Sequence, residues 1–587
     1  MLLKSGRNDV GATCGRHEAT SSGRGSTVWS YRTVLEQRIR ERRLTLEEFA
    51  EYAEAFAREN GEVGTLGVRH LQRLVAGRGA HGKQLGRVRP ATARLLERIF
   101  GDSIETLLGE PETHSVASGV PTAAPRSDDR STPQRTSAEP SAGSGIEAPT
   151  AAGGEASGDL LSAFDWLDQH TGWATGAAKR KVRSRLSRLS AGDLLDRNAR
   201  RSRIGRNAVA EALAEYYGRS LANGYSIHRA RVDDREVGTS LLTRPDWIDL
   251  ASPLTPEGDA LALTEQHSSP ATSPIDSRRA VHRLAEATAL GVRMTNAPLY
   301  RLHDVDFTGG KVNGSLNLAP FVEYALTSDL LEGELLDAIS QGQSIRPGEL
   351  PLRDAYLPDF PGVLDLSARK CVGGVLALCA VARPADPYRG SADFALLVQE
   401  RSGNVLNATG QLAVIPKGFH QPLKEARAEA RIGSTLLREL EEELFGRAEV
   451  DGTAGEPRVA APMHRSRLSE PMRWLLDEPG RLRRECTGFG FNLVSGNYEF
   501  ASLAVIDDEE FWKRYGGDIE ANWEASGLRL YSTLDRELLN QLIADEAWSN
   551  EGLFALLQGI RRLGESDDPR LDLPTVDAEF TTSASGR

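Results

Sequence analysis

The chain has few of the features that mark secreted, membrane-bound or disulfide-rich proteins. Its 587 residues include only four cysteines (Cys14, Cys371, Cys379 and Cys486), whose spacing matches neither a disulfide framework nor a metal site. No apolar run approaches the length of a membrane span, and the N-terminus lacks a secretory apolar segment. Neither a glycine-rich phosphate loop nor a Gly-x-Ser-x-Gly nucleophile turn occurs. These absences predict a cytoplasmic protein with reduced cysteines and no membrane partner.

Length and composition predict a multidomain protein. A hydrophobic content of 40% is ample for several cores. Residues 111–158 are rich in Pro, Ser, Ala, Thr and Gly with almost no large apolar side chain, which predicts a disordered linker. Both termini, 1–28 and 566–587, are predicted to be disordered. The remaining chain divides into an all-α domain at 29–110, a basic helical region at 159–235, an α+β region of unknown role at 236–369 and an α/β domain at 370–565. Residues 237–277 are expected to be loop-rich.

Residues 411–446, QLAVIPKGFHQPLKEARAEARIGSTLLRELEEELFG, are the most informative stretch. Glu439, Glu442 and Glu443 are spaced so that their carboxylates gather on one face of a helix. The opposite stripe, which can bury against a sheet, consists of Leu436, Leu437, Leu440 and Leu444. Carboxylates this close repel one another unless a cation lies among them, and oxygen ligands suit Mg²⁺ or Mn²⁺. The spacing predicts a metal site, although a solvated acidic helix would show the same pattern.

This segment resembles the Nudix box, whose pattern is Gly, then Glu, then Arg-Glu-hydrophobic-x-Glu-Glu-x-Gly. Gly418 corresponds to the leading glycine and Arg438–Leu440 to the central triplet. The chain departs from the pattern in three ways. The gap from Gly418 to Arg438 is six residues too long, the earlier glutamate of the pattern falls at Ala430 with Glu429 beside it, and Phe445 stands at the closing glycine. The chain also follows the family in the order of its elements over about 370–565. Apolar runs at Val375–Val381, Phe394–Gln399 and Phe500–Ile506 predict buried strands, and a last helix is expected around Glu537–Ile543. The resemblance implies an α/β/α Nudix-like sandwich.

The resemblance also implies a chemistry for the acidic residues. Glu439, Glu442 and Glu443 would hold Mg²⁺, which clamps a pyrophosphate and activates the attacking water. Glu442, Glu443 and Glu524 would be the catalytic residues, with Glu524 as the candidate general base. The ligand would be a nucleoside diphosphate linked to another group, such as a dinucleotide or a sugar nucleotide.

Three further residues are implied to contact this ligand or its site. Arg438 would orient the glutamates by ion pairing, as its counterpart in the family does. Trp523 or Tyr531 could stack on a base. The box alone does not identify the substrate.

The other end of the chain contains four amphipathic helical patterns. The first covers residues 33–43, and Thr45 with Glu48 forms a capping box that opens the second. Thr65 opens a short third helix, and Pro90–Phe100 is the fourth, which is expected to stop at Gly101. Residues 61–100 carry eight Lys/Arg and two acidic residues, so this stretch has a net charge of +6 on a chain of net −12. Phosphate contacts require such local positive charge.

This arrangement looks like the lambda-repressor-like (Cro/XRE-type) helix-turn-helix family. The match places four side chains in the major groove, Val68, Arg69, Gln72 and Arg73, and two on phosphates, Thr65 and Arg78. It implies double-stranded DNA as a partner and a homodimer that reads paired half-sites. A helical protein-interaction module remains the alternative, because a fold does not determine its function.

A second basic stretch lies in the middle of the chain. Residues 179–206 contain eleven Lys/Arg and two Asp, with apolar residues at helical spacing. They predict a pair of basic amphipathic helices. A second nucleic-acid contact and a solvated arginine face over a core are both open, since charge runs alone are weak evidence.

Together, the two ends predict a DNA-binding transcriptional regulator with a nucleotide-diphosphate-sensing Nudix-like domain. One alternative is a Mg²⁺-dependent Nudix hydrolase whose N-terminal helices target it to DNA or to a partner. Another is a non-enzymatic interaction scaffold.

Overall fold

The computed structural model describes twenty stretches of the chain, namely residues 33–41, 49–50, 52–53, 56–57, 66, 70–71, 74–75, 88, 90–100, 103–109, 158–219, 223–264, 275–290, 294, 296–387, 389–401, 410–445, 463–517, 519 and 525–580. Contacts between residues divide the chain into two compact units, with the boundary along the sequence between residues 145 and 146. Each unit is described below by itself. The residues predicted to form the disordered N-terminus lie outside the described stretches, as does nearly all of the predicted linker.

The first unit is helical. Its complete helices are α1 (Val34–Glu41), α2 (Pro90–Phe100) and α3 (Ile104–Leu108). The described residues within 49–57 and 70–75 are also helical. The apolar side chains of all these segments share one core, which includes Leu35, Phe49, Leu74 and Leu95. The helices predicted at 33–43 and Pro90–Phe100 are therefore confirmed, and their apolar side chains contribute to the same core.

The second unit begins with a helical layer. Its helices are α4 (Gly158–Thr171), α5 (Ala177–Leu186), α6 (Ala191–Arg201), α7 (Arg206–Tyr217) and, later in the chain, α8 (Ser277–Leu290). α4, α5 and α8 pack around a shared apolar cluster. Asp168 anchors the start of α5, because its carboxylate accepts hydrogen bonds from the backbone N–H groups of Gly176 (2.6 Å) and Ala178 (2.7 Å). The basic helix pair predicted from residues 179–206 is confirmed as α5 and α6.

Fourteen strands are described in the second unit. They are β1 (Ser226–Val232), β2 (Arg235–Thr243), β3 (Ile248–Pro253), β4 (Asp259–Leu263), β5 (Pro298–Asp306), β6 (Val312–Pro320), β7 (Gly373–Arg383), β8 (Asp393–Arg401), β9 (Leu412–Val414), β10 (Lys417–Phe419), β11 (Leu482–Asn492), β12 (Tyr498–Ile506), β13 (Ala525–Ser532) and β14 (Val576–Glu579). Short 3₁₀ turns lie at Pro245–Trp247, Thr308–Gly310 and Arg465–Arg467.

Eleven strands form one mixed sheet with the order β13-β8-β7-β12-β11-β2-β1-β14. β3, β9 and β10 pair with β11, β8 and β7 off this path, and β4-β6-β5 forms a separate sheet. β7 and β12 are parallel at the centre, with Val375 beside Phe500, while the other pairs of the large sheet are antiparallel. The parallel pair requires a long crossover connection. This connection contains the helix Ile432–Glu439, which is called the box helix because it lies in the segment that resembles the Nudix box.

The remaining helices cover both faces of this sheet. They are α9 (Phe321–Ala325), α10 (Leu330–Ser340), α11 (Pro351–Tyr356), α12 (Phe360–Leu364), α13 (Ile432–Glu439), α14 (Glu470–Asp477), α15 (Glu509–Tyr515), α16 (Arg536–Ala544) and α17 (Asn550–Gly564). α13, α14 and α15 bury apolar side chains on one face, and α16 and α17 on the other. Successive residues of β7, such as Val375 and Leu376, point into the two different cores, because side chains alternate between the two faces of a strand. The layers are thus α/β/α.

Three parts of the fold differ from the sequence-based expectation. Residues 237–277, expected to be loop-rich, contain most of β2 and all of β3 and β4. Part of the expected disordered tail is ordered, because β14 pairs with β1 at the sheet edge. The closing helix expected near Glu537–Ile543 is α16, but it is followed by α17, most of whose residues are buried.

No helix among the described residues is both long and apolar enough to cross a membrane.

Candidate functional site

The box helix places a buried ion pair against β10. Arg438 and Glu439 are 3% and 7% exposed, and Arg438 Nη2 lies 2.5 Å from Glu439 Oε1. A Cβ atom added to Gly418 would lie 2.2 Å from the Glu439 carboxyl carbon, so a side chain at this position would collide with the pair. Burial opposes the charge of Arg438, but the carboxylates of Glu439 and Glu442 outweigh it and raise the pKa of Arg438. The leading glycine and the Arg-Glu doublet of the box therefore meet in space.

Arg438 also ties the chain that follows β10 to the box helix. Its Nη1 donates to the carbonyl oxygen of Gln421 (2.8 Å), and its Nη2 donates to that of Phe419 (3.2 Å). A guanidinium group has five donors in a planar fork, so one side chain can satisfy a carboxylate and two carbonyls together. This arrangement fixes the position of Glu439 relative to β10.

The box continues beyond α13 as a π-helical turn over Leu440–Leu444. Within this turn, Glu443 is 1% exposed and accepts hydrogen bonds from the backbone N–H of Lys417 (2.7 Å) and from Gln399 Nε2 (3.4 Å). Single π turns inside α-helices are uncommon and often occur at functional sites. Glu443 thus contacts Lys417 of β10, and Glu439 lies against Gly418, the next residue of that strand.

Glu441 has a different role from its neighbours. It is fully buried and accepts hydrogen bonds from the backbone N–H and the hydroxyl of Ser469, both at 2.6 Å. Ser469 caps the N-terminus of α14, where its hydroxyl accepts from the N–H of Met472. Glu441 thus joins the box turn to α14. The box helix carries four glutamates, but this one is directed away from β10.

The predicted metal ligands do not form a complete site by themselves. Among the residues that the structure describes, no three His, Cys, Asp or Glu side chains are grouped so that they could hold a metal ion. Glu439 is neutralised by Arg438, Glu443 is held by Lys417 and Gln399, and Glu442 is partly exposed. Arg438 provides, at Glu439, the positive charge that we had expected from Mg²⁺ on the basis of the glutamate spacing. Mg²⁺ binding at these glutamates stays a prediction.

Glu429, the residue before Ala430, has a structural role. Glu429 accepts hydrogen bonds from three consecutive backbone N–H groups, those of Leu423, Lys424 and Glu425. These bonds close a turn between β10 and α13.

Lys417 connects the box to the opposite face of the sheet. Its backbone N–H reaches Glu443, while its Nζ lies 2.6 Å from Glu551 Oε1 at the start of α17. Asn492 Nδ2 donates to the other oxygen of Glu551 (3.3 Å). Close by, burial and the Glu551 carboxylate raise the pKa of Glu499 to about 8. A ligand that moves Lys417 would therefore affect buried charges on both faces.

Glu499 makes the stability of the second unit depend on pH. The folded protein holds this proton more tightly than the unfolded chain, so stability is lost as pH rises from about 4.5 to about 8. Glu499→Gln should remove a loss on the order of 4 kcal/mol over that interval. Urea unfolding at several pH values measures it. Glu349→Gln, an exposed carboxylate, is the control and should leave the slope unchanged. Equal slopes for wild type and Glu499→Gln would contradict the assignment.

Tyr531 does not meet the box. It lies opposite Leu396 in the β13–β8 pair and packs on the core formed with α16 and α17. Because side chains alternate along a strand, Leu528 faces the box layer instead. Trp523 and Glu524 lie outside the described residues. So do the six predicted DNA-contacting residues, Thr65, Val68, Arg69, Gln72, Arg73 and Arg78.

Sequence reasoning missed the partners of the box that come from other elements. Gln399 on β8 and Ser469 before α14 carry no motif, and only the folded arrangement brings them to Glu443 and Glu441. Lys417 offered a signal, because it directly precedes the glycine of the box in the Pro-Lys-Gly turn. Neither the models of known protein families nor the curated proteins with which the chain was compared give a match.

Proposed function

We propose that this protein is a DNA-binding transcriptional regulator whose second unit senses a nucleotide-diphosphate ligand at the box. The observation that carries the proposal is the buried Arg438–Glu439 pair packed on Gly418. Two buried charges need a strong reason to be retained, because an apolar pair of similar volume is often as stable. Positioning the neighbouring carboxylates for a ligand supplies such a reason. The mixed sheet between two helical layers supports a Nudix-like unit.

The ligand would complete the metal site that the glutamates leave incomplete. Mg²⁺ keeps several waters and is usually bound by one or two carboxylates together with phosphate oxygens. Glu442 and Glu443 would supply the carboxylates, with Glu439 positioned by Arg438 beside them. We therefore expect Mg²⁺ to bind together with a diphosphate and weakly without one. When bound, Mg²⁺ would neutralise the charge of the two phosphate groups.

The first unit supports the DNA-binding half of the proposal through its architecture. Its helical segments share a small core of their own. The sequence between residues 61 and 100 has a net charge of +6. A compact helical domain with local positive charge suits contacts with phosphates. Two copies would read paired half-sites of double-stranded DNA.

A thermal-shift panel of nucleoside diphosphates and their linked derivatives, with and without Mg²⁺, tests the ligand. A ligand at about 100 times its Kd should add about 2.7 kcal/mol of stability. Glu442→Gln with Glu443→Gln should remove the part of the shift that needs Mg²⁺. The matched control is Glu257→Gln with Glu349→Gln, which removes two exposed carboxylates that form no ion pair among the described residues.

The outcomes separate the alternatives. A Mg²⁺-dependent shift accompanied by turnover of the ligand would favour a Nudix hydrolase over a sensor. Absence of any shift, with calorimetry showing no Mg²⁺ binding with or without nucleotide, would remove both and leave a scaffold. Equal loss of the shift in the control pair would show that general charge, not the box, is responsible.

A further inference from the structure

The structure divides the basic middle stretch into two halves with different roles. Three cations of α6 and α7 are used internally: Arg201 pairs with Asp337 (2.6 Å), Arg197 pairs with Glu286, and buried Arg206 donates to the carbonyl of Gly238. The cations of α5 and the turn after it are exposed, and none of them forms an ion pair among the described residues. These six exposed residues are Lys179, Arg180, Lys181, Arg183, Arg185 and Arg188. Half of residues 177–188 are thus cationic and none is acidic.

An open cleft of about 710 Å³ lies between α5 and α8. The residues that determine its character are Trp173, Lys181, Arg185, Asp276, Arg278 and His282. Lys181 Nζ lies 4.6 Å from the centre of the Trp173 ring, so a cation and an aromatic face occupy the same wall. Asp276, an acidic residue of the wall, is already engaged, because it accepts from the backbone N–H groups of Arg278 and Arg279 at the start of α8.

Arg185 is held in place at this cleft. Its Nε donates to His282 Nδ1 (3.0 Å), and His282 Nε2 lies 2.8 Å from Glu286 Oε1. Burial opposes ionisation of Glu286, but hydrogen bonds from His282 and Arg197 outweigh it and lower its pKa to about 2. The terminal nitrogens of Arg185 make no hydrogen bond to another described residue. A guanidinium fixed through Nε presents these two nitrogens to a phosphate.

We propose that the α5–α8 cleft binds single-stranded nucleic acid. Arg185 and Arg278 would contact backbone phosphates, and one base would stack on Trp173 in place of the Lys181 ammonium, which would move to a neighbouring phosphate. Proteins that bind single strands combine a cationic groove with aromatic stacking surfaces in this way. A flexible strand can place one nucleotide inside a cleft of this size, whereas a stiff duplex presents its phosphates on a convex surface. The other cations of α5 extend the path beyond the cleft.

The test uses the full chain carrying Arg69→Ala and Arg73→Ala, so that the proposed DNA-reading helix does not contribute. Fluorescence anisotropy with labelled 20-nucleotide oligo(dT) and oligo(U), at several salt concentrations, measures binding. Lys181→Gln with Arg185→Gln should weaken binding on the order of tenfold and lower the salt slope by about 1.4, at about 0.7 per phosphate contact. Trp173→Leu should weaken it about fivefold or more, and Trp173→Phe should retain most of it.

The matched control is Arg235→Gln with Lys311→Gln, which removes two exposed cations elsewhere in the same unit. It should bind like the parent chain. No oligonucleotide binding, or equal binding by the cleft and control variants, would overturn the proposal. A 20-base-pair duplex of random sequence that competes as well as the single strand would also overturn it. So would binding only to vesicles of anionic phospholipid, which would indicate a membrane surface instead.

Discussion

Replacing Arg438 with methionine is expected to lower the free energy of unfolding by about 3–5 kcal/mol. The change leaves the Glu439 carboxylate buried without its cation, and it removes the donors to the carbonyls of Phe419 and Gln421. Denaturant unfolding followed by tryptophan fluorescence measures the loss. Seven of the eight tryptophans lie in residues 146–587, so the signal reports mainly on the second unit.

Two further variants make this prediction specific. Arg438→Met combined with Glu439→Gln should recover part of the stability, because no uncompensated charge stays buried. Arg465→Met is the control: Arg465 pairs with Asp477 but is 70% exposed, so its removal should cost less than about 1 kcal/mol. If Arg438→Met behaves like the control, the Arg438–Glu439 pair does not hold the box against β10. The proposed positioning of the carboxylates would then fail with it.

The second large effect is expected in the first unit. Arg69→Ala together with Arg73→Ala should abolish sequence preference in DNA binding, with a loss of about 1–3 kcal/mol for each base contact. The reason is that the Cro/XRE resemblance implies contacts of both arginines with base edges in the major groove. Anisotropy with the DNA upstream of the protein's own gene, against random duplex of the same length, measures the difference.

Arg78→Ala is the matched control, because this residue is proposed to contact phosphate and not a base. It should weaken specific and random binding equally and lower the salt slope by about 0.9. Absence of salt-dependent binding to duplex DNA by the full chain would contradict the DNA-binding proposal. Sedimentation tests the expected homodimer separately, since a monomer that binds specifically would remove only that part.

The sequence predicted the individual elements well where a local pattern was strong. Apolar runs became β7, β8 and β12, and the stop at Gly101 matched the end of α2 at Phe100. The leucine stripe of the box packs on the sheet, with Leu436 and Leu440 fully buried. These outcomes depend on side-chain periodicity within one element, which can be read without knowing its neighbours.

The sequence by itself determined the helical character of the first unit, the box residues and the strands around them. Only the tertiary structure decided which surfaces meet. It added β1, β2, β3 and β14 to the same sheet, placed Tyr531 on the face opposite the box, and directed Glu441 to Ser469. It also showed that Glu439 forms an ion pair with Arg438 next to Gly418, whereas the spacing of the glutamates alone suggested that a metal ion would balance this charge. Spacing along a helix or strand is local, whereas strand pairing, sheet face and buried charge partners depend on residues far apart in the chain.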